Sequence, residues 1–539
     1  MRVEDLLSER PDPTHDGNDT RAAWTTVNAA EAMPGVGTPL GWTWFFEGGE
    51  LGLRGAFADI GAIPTRDVRV FGDLDKRFIG MFYGHFAGNL DMMRYIGDQM
   101  PGSSGDAVEE QYFGESRKGI PSSRNPGRIP IVVGKLPVNA WRAKRRVQEL
   151  RDEVDGWWRR AVTPGSTGDA EAARAVFRRA LRYWQVICRA HTVVSMIGQG
   201  LFEQTRRVCV AAGKPGLELR VVSASSDVYE ARMIADLWDV ANGATSMERF
   251  LADHGFHGPA EGELSSKSWR EDAAPLLPLL EVYRDRARPS DVSARGEGDR
   301  RAAEAELFGA LGSRDRLRAK LVLRLARVFI PLREEGRSTF LKSYDVARCM
   351  ARRIGEALVE QRVLEDVEDV FFLTVPELLG ALPADPREEV AFRRSRRVRY
   401  TGVELPERWE GAPIPIEIAA RDEDGSDRAT RIDAIGVSPG RVEGRVRVVI
   451  DPADPGDIGD GEILVCKTTD PSWASLFFIV SACVIDVGGP MSHGAILARE
   501  LGIPCVINTR DGTRTLRTGD IVRVDGDAGT VDVLEAMPS

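Results

Sequence analysis

The chain has 539 residues, 42% of them hydrophobic and 29% charged, with a formal net charge of −10. That length exceeds one ordinary core and predicts roughly two to four domains. The acidic balance and the lack of a basic stripe exclude a nucleic-acid partner, and no apolar run approaches the ~18 residues of a membrane helix.

The six cysteines, Cys188, Cys209, Cys349, Cys466, Cys483 and Cys505, form no C-x-x-C pair. Neither a zinc site nor a disulfide framework is indicated, no bound metal is expected, and the reducing cytoplasm is the expected compartment. Residues 1–20 are polar, mix acids with bases and lack an apolar core, so they read as a mobile leader and not as a secretory signal.

From Trp24 to Trp44 the text is dense in Pro, Gly and Trp and cannot be one regular helix. Trp42 and Trp44 read as the aromatic wall of a ligand site or as packed anchors, the commoner fate of large aromatics. Phe71, Phe78, Phe82, Phe86, Leu90 and Met93 recur at three-to-four spacing and predict a helix, with His85 off its apolar stripe. A turn at Met100–Asp106 offers N-cap residues for a helix beginning at Asp106.

Residues 137–330 read mainly as long amphipathic helices, at Trp141–Trp158, Ala170–Gln199, Asp227–Asp253 and Ala302–Val328. Arg142, Arg145 and Arg146 are most simply a solvated face, with an anion site as the lesser reading. Residues 286–301 are polar enough to predict a flexible loop. The Gly- and Pro-containing run His254–Glu263 predicts a loop that displays His257 to a ligand or packs it locally. Arg333 and Arg337, with Lys342 and Arg348, place cations around a helix junction where a phosphoryl group could be neutralised.

Leu364–Thr374 reads as a short strand feeding a helix, and the hydrophilic run at 420–431 as a flexible linker. Beyond it, Arg445–Ile450, Glu462–Cys466, Val484–Val487 and Ile521–Val524 predict strands.

The densest chemistry lies at Gly488–Pro504, where an apolar strand meets two glycines, a Ser and a short helix ending at Gly502. His493 falls in that helix's first turn. The first N–H groups of a helix have no internal partners and its positive end favours an anion. That end also disfavours imidazolium, so His493 is expected to be neutral and nucleophilic, with Gly488, Gly489, Ser492 and Gly494 around a phosphate.

The run GGPMSHGAILARELGIPCVI resembles the phosphohistidine swivelling domain shared by phosphoenolpyruvate synthase, pyruvate phosphate dikinase and rifampin phosphotransferase, as do Gly436–Gly440, Thr468–Trp473 and Gly519–Val531. In that family the matching His carries a phosphoryl group between distant sites, which implies this role for His493. Trp24–Trp44, Met100–Gln111 and Leu364–Leu379 resemble the acceptor region of rifampin phosphotransferases. The loop at 254–263 is similar too, but has Phe256-His257 where a His-Arg pair is expected.

The resemblance implies an α+β multidomain chain. A large, mainly α-helical acceptor domain at 21–419 would be joined by the 420–431 linker to a small α/β swivelling phosphohistidine domain at 432–539. Trp42, Trp44, His257, Arg333 and Arg337 would then face the acceptor. The family charges its histidine with an ATP-grasp or a phosphoenolpyruvate-using domain. No G-x-x-x-x-G-K-[ST] loop is present, and neither the residues before Trp24 nor those after the last strand hold such a domain. The expectation is a split phosphotransferase: a separate ATP-grasp partner supplies ATP and Mg, neither of which this chain binds, and a small organic acceptor receives the phosphate. Two rivals remain, an enzyme with non-phosphoryl chemistry in the helical domain and a scaffold that uses the swivelling domain for docking.

Overall fold

The computed structural model describes residues 6, 10–27, 32–113, 116–163, 165, 168–222, 229–284, 286, 289–418, 430–450, 458–459, 461–469, 473–490 and 492–537. Two compact units make up the chain, one of residues 1–194, 261–266 and 335–419, the other of 195–260, 267–334 and 420–539. This division differs from the expected one, because the helical stretches 195–260 and 267–334 cluster with the C-terminal strands. The expected linker lies outside the described residues as far as 429, and Arg431 already opens a strand.

The first unit carries strands β1 (Ala23–Thr25), β2 (Ile79–Phe82), β3 (His85–Asn89), β4 (Val403–Glu404), β5 (Arg408–Glu410) and β6 (Ile416–Glu417). Four of them form an antiparallel sheet in the order β2-β3-β1-β5, and β4 pairs with β6. Trp24 lies opposite Trp409, and both are buried with Phe82, Tyr83 and Tyr400.

The helix expected through Phe71 and Met93 is instead a hairpin followed by the helix Leu90–Gln99. The step of four from Phe78 to Phe82 suits a strand's period of two as well as a helix's 3.6, whereas Phe86 lies beyond the turn, opposite Met81 on the neighbouring strand. The turn decides: Tyr83 and Gly84 both have positive φ, 49° and 74°, as a tight hairpin requires.

The leader expected to be mobile is tied to that hairpin from residue 12 onward. The Thr14 carbonyl accepts from Gly84 N at 2.8 Å, His15 Nδ1 from Tyr83 N at 3.2 Å, and Asp16 Oδ2 from Met81 N at 2.8 Å. Asp12 Oδ2 accepts from the Tyr400 hydroxyl at 2.7 Å. Polar residues are ordered here because each meets a partner that needs satisfying.

Helix Pro39–Asp59 begins at Thr38, whose Oγ1 accepts from Gly41 N at 3.1 Å. The buried Glu263 carboxylate accepts from Thr38 Oγ1 at 2.6 Å and Thr38 N at 2.9 Å, which puts an anion at the positive end of the helix. Against this helix pack Ile129–Ala161, the first half of Ala170–Ala211 through Trp184, and the last part of Ser313–Glu360 through Tyr344; Pro386–Tyr400 belongs to the same unit. The strand expected at Leu364–Thr374 is a 3₁₀ turn, Val367–Phe372, because Asp366 and Asp369 form a capping box across it.

The second unit is built on an eight-stranded sheet: β7 (Arg431–Asp433), β8 (Ile435–Ser438), β9 (Arg441–Val448), β10 (Ile463–Cys466), β11 (Ala482–Ile485), β12 (Cys505–Ile507), β13 (Ile521–Asp525) and β14 (Thr530–Glu535). The order is β7-β14-β13-β9-β10-β11-β12-β8, parallel from β9 to β12 and antiparallel elsewhere. Alternate residues of β10 to β12 enter two different cores, Ile463, Val465, Val484 and Val506 in one and Leu464, Cys466, Ile485 and Ile507 in the other. Burial on both faces is why these strands read as continuous apolar runs.

The helices of this unit pack into the second of those cores, with Met233, Leu237, Phe250 and Tyr283 beside Phe477, Ala495 and Leu497. The span expected as one helix from Asp227 to Asp253 is two, Tyr229–Ala241 and Met247–His254, the latter capped by Ser246. Residues expected as a loop at 286–301 are helical from Pro289 to Ala310. Ion pairs one turn apart, Arg300 with Glu304 at 2.6 Å and Arg301 with Glu297, support that helix, and Ala303 and Leu307 bury against Cys209 and Leu217. No described helix is long and apolar enough to cross a membrane.

His15 yields a pH test. It stacks on Tyr83 at 4.4 Å, and burial pushes its pKa from the ordinary 6.5 down to about 4. The folded state therefore binds fewer protons than the unfolded one between those values. The stabilisation is complete above pH ~6.5 and is lost as the pH falls toward ~4, by up to about 3 kcal/mol. Urea titrations of the wild type and of His15→Gln across this range should show a steeper acid loss in the wild type; equal slopes would reject the assignment.

Candidate functional site

β11 is followed by Asp486, whose buried carboxylate accepts from Thr509 Oγ1 at 2.7 Å, Thr513 Oγ1 at 2.5 Å and Thr513 N at 3.2 Å. Burial raises its pKa above the usual carboxylate value, and the threonine hydrogen bonds oppose that shift. The end of the strand is thus pinned before the chain turns through Gly488, Gly489 and Pro490. Ser492 N donates to the Gly489 carbonyl at 2.8 Å, and Ser492, in extended conformation, caps helix His493–Leu501 by accepting from Ala495 N at 3.4 Å.

His493 is the first residue of that helix and is 2% exposed. Gly502 ends the helix with φ 67°, the left-handed conformation that favours glycine. The site thus joins an imidazole to the anion-favouring end of a helix.

Arg499, two turns along the helix, is buried and donates to the Pro490 carbonyl at 2.9 Å and the Val437 carbonyl at 3.2 Å. It ties the turn before His493 to β8. Burial lowers its pKa to about 10 and the nearby Arg333 charge acts in the same direction, yet it stays protonated at neutral pH.

The glycines divide by role. A Cβ on Gly494 would sit 2.7 Å from both Thr469 Oγ1 and Ile485 Cδ1, so glycine lets the helix lie against the sheet. A Cβ on Gly489 meets nothing within 4 Å, which leaves room beside the turn.

Of the other sequence-derived positions, His257 and Arg333 belong to the same unit as His493, whereas Trp42, Trp44 and Arg337 belong to the first unit. Trp42 is buried against Phe46 and Phe86, and Trp44 against Phe177 and Tyr344, the packing expected of anchors. His257 is buried among Phe256, Tyr229 and Trp269, with ring centroids 4.2, 5.5 and 5.6 Å away. Arg333 and Arg337 are half-buried.

Two features were not legible in the sequence. Arg499 looks like one of many helix arginines until the fold places carbonyls around it. A chain of hydrogen bonds joins Tyr229 Oη to His254 Nδ1 at 2.7 Å and His254 Nε2 to Asp236 Oδ2 at 2.7 Å, across separations no local motif reveals.

Residues 458–529, which include the His493 helix and strands β10 to β13, match the model of the PEP-utilising enzyme mobile domain. Residues 241–334 match the rifampicin phosphotransferase fourth domain. An uncharacterized protein of Mycobacterium tuberculosis is 40% identical over 283 residues, covering 52% of this chain and 30% of that protein. Rifampicin phosphotransferases of a Streptomyces species and of Bacillus cereus are 31% and 29% identical, covering 58% and 54% of this chain and 38% and 34% of their own. The chain spans about a third of the length of these curated relatives.

Gly494→Val tests the packing reading. Overfilling the contact with Thr469 and Ile485 should cost about 1–3 kcal/mol, seen as a lower thermal midpoint, whereas Gly489→Ala should leave it nearly unchanged. Equal effects would contradict the geometry.

Proposed function

We propose that this chain carries a phosphoryl group on His493 and passes it to a small organic acceptor. The observation that supports this reading is His493 itself: a helix-opening histidine behind a serine cap and an open glycine turn, within a segment matching a PEP-utilising mobile domain. In the first half-reaction a ring nitrogen attacks the phosphorus, a P–O bond to the nucleotide breaks, and the nucleotide leaves. In the second, the acceptor's hydroxyl oxygen attacks, the P–N bond breaks and the hydroxyl proton is released. The helix end stabilises negative charge on the phosphoryl oxygens in both.

ATP and Mg belong, on this reading, to a separate ATP-grasp protein, and the acceptor to the helical region. Because His493 is 2% exposed, its turn must be uncovered for each transfer. Occlusion between transfers protects a labile P–N bond from water. The cytoplasm, where ATP is available, is the compartment this reading requires.

The Tyr229–His254–Asp236 chain favours a second reading, proton-transfer chemistry in the helical region that does not involve His493. One substitution separates the two. With labelled ATP, Mg and an ATP-grasp partner, the wild type should gain acid-labile label and His493→Ala none. Equal labelling of both proteins would sink the carrier reading, and acceptor turnover surviving in His493→Ala would favour the second.

A further inference from the structure

The first unit has a surface groove that the phosphoryl reading does not use. Helix Ile129–Ala161 forms one side; the end of helix Pro39–Asp59 and helix Ala170–Ala211 contribute the rest. Two adjoining cavities, of 340 and 580 Å³, share Asp59, Asn139, Arg142 and Arg189 as their common border. Both volumes fall in the range of small-molecule sites, roughly 300–1,000 Å³.

The lining is cationic in a chain whose net charge is −10. Lys135, Arg142, Arg145, Arg146 and Arg189 face it against only Asp59 and Glu149. Both carboxylates are engaged. Asp59 takes two bonds from Arg189, at 2.7 and 2.5 Å, and Glu149 lies 3.5 Å from Arg145 and 3.6 Å from Arg146. Asn139 is held by its Nδ2 donating to the Asp59 carbonyl at 2.8 Å, which fixes the border. Among the described residues, Lys135 and Arg142 have no carboxylate within ion-pair distance.

Beside these charges stands an aromatic surface. Trp141 is 57% exposed, Val138 47% and Val186 37%, and the Arg145 guanidinium lies over the indole at 4.9 Å. A large exposed indole held by an arginine, next to two uncompensated cations, provides a stacking surface and an anion clamp together.

We propose that this groove binds a small aromatic anion: its ring against Trp141 and Val138, its carboxylate or phosphate on Arg142 and Lys135. The site is independent of the His493 reading and stands or falls without it. An acidic protein segment is the competing occupant, but hollows of small-molecule volume beside an exposed indole favour a compact aromatic ligand over an extended one.

The test is calorimetric titration of the full chain with 1-naphthyl phosphate, 2-naphthol and inorganic phosphate. The expected result is saturable binding of naphthyl phosphate in the micromolar-to-millimolar range. Arg142→Gln and Trp141→Ala should each weaken it about tenfold, the loss of one charge-assisted bond or one stacking contact. Both residues are exposed, so these changes should not unfold the protein, and circular dichroism checks that they do not. His493→Ala should bind as the wild type does. No saturable binding, binding unchanged in both groove variants, or equal affinity for inorganic phosphate would overturn the proposal. So would preference for a Glu- and Phe-rich peptide over naphthyl phosphate, which would assign the groove to a protein partner.

Discussion

Arg499 is charged, buried, and bonded to two carbonyls, one from the turn that precedes His493 and one from β8. A guanidinium withdrawn from water is costly unless its donors are satisfied. Val437 and Pro490 meet that need only when the helix, the glycine turn and the sheet edge are all in place. The geometry of the histidine turn therefore depends on a residue six positions beyond it. Asp486 does the same at the strand end, its carboxylate fixed by Thr509 and Thr513 from the opposite side. These two buried groups hold the segments on either side of the histidine turn.

The two-faced sheet sets the other boundary condition. Strands β10 to β12 give alternate residues to separate cores, so a one-residue slip would exchange every side chain between them. Register is thereby fixed for the strand that delivers His493. The glycine at 494 completes this by letting the helix settle onto Thr469 and Ile485 without overlap.

How much of this was legible in the sequence depended on whether the signal was local. The Gly-Gly turn, the Ser492 cap and the Gly502 stop are all within a few positions of one another, and the structure places each where the sequence does. The apolar strands were legible because burial on both faces leaves no polar alternation to blur them. Phe78, Phe82 and Phe86 misled because the hairpin at Tyr83-Gly84 happens to keep a helix-like spacing across its turn, and only the positive φ values there reveal it. Residues 286–301 read as a loop because their helix is held by Arg–Glu pairs and a few buried side chains, and not by an apolar stripe. The leader read as mobile because its partners lie far along the chain. Arg499 and the Tyr229–His254–Asp236 chain were invisible for the same reason: their meaning depends on what the fold brings to them.

The long reach of that leader has a consequence for how the protein is made. The Asp12 carboxylate meets Tyr400, 388 positions later, and Trp24 pairs in the sheet with Trp409. At translation speeds of roughly 5–20 residues per second, the first strand waits tens of seconds before its outer neighbour leaves the ribosome. During that interval Trp24 and the paired backbone of β1 lack one side of their native environment. The first unit can close only late, which makes the nascent chain, more than the finished fold, the stage at which aggregation threatens.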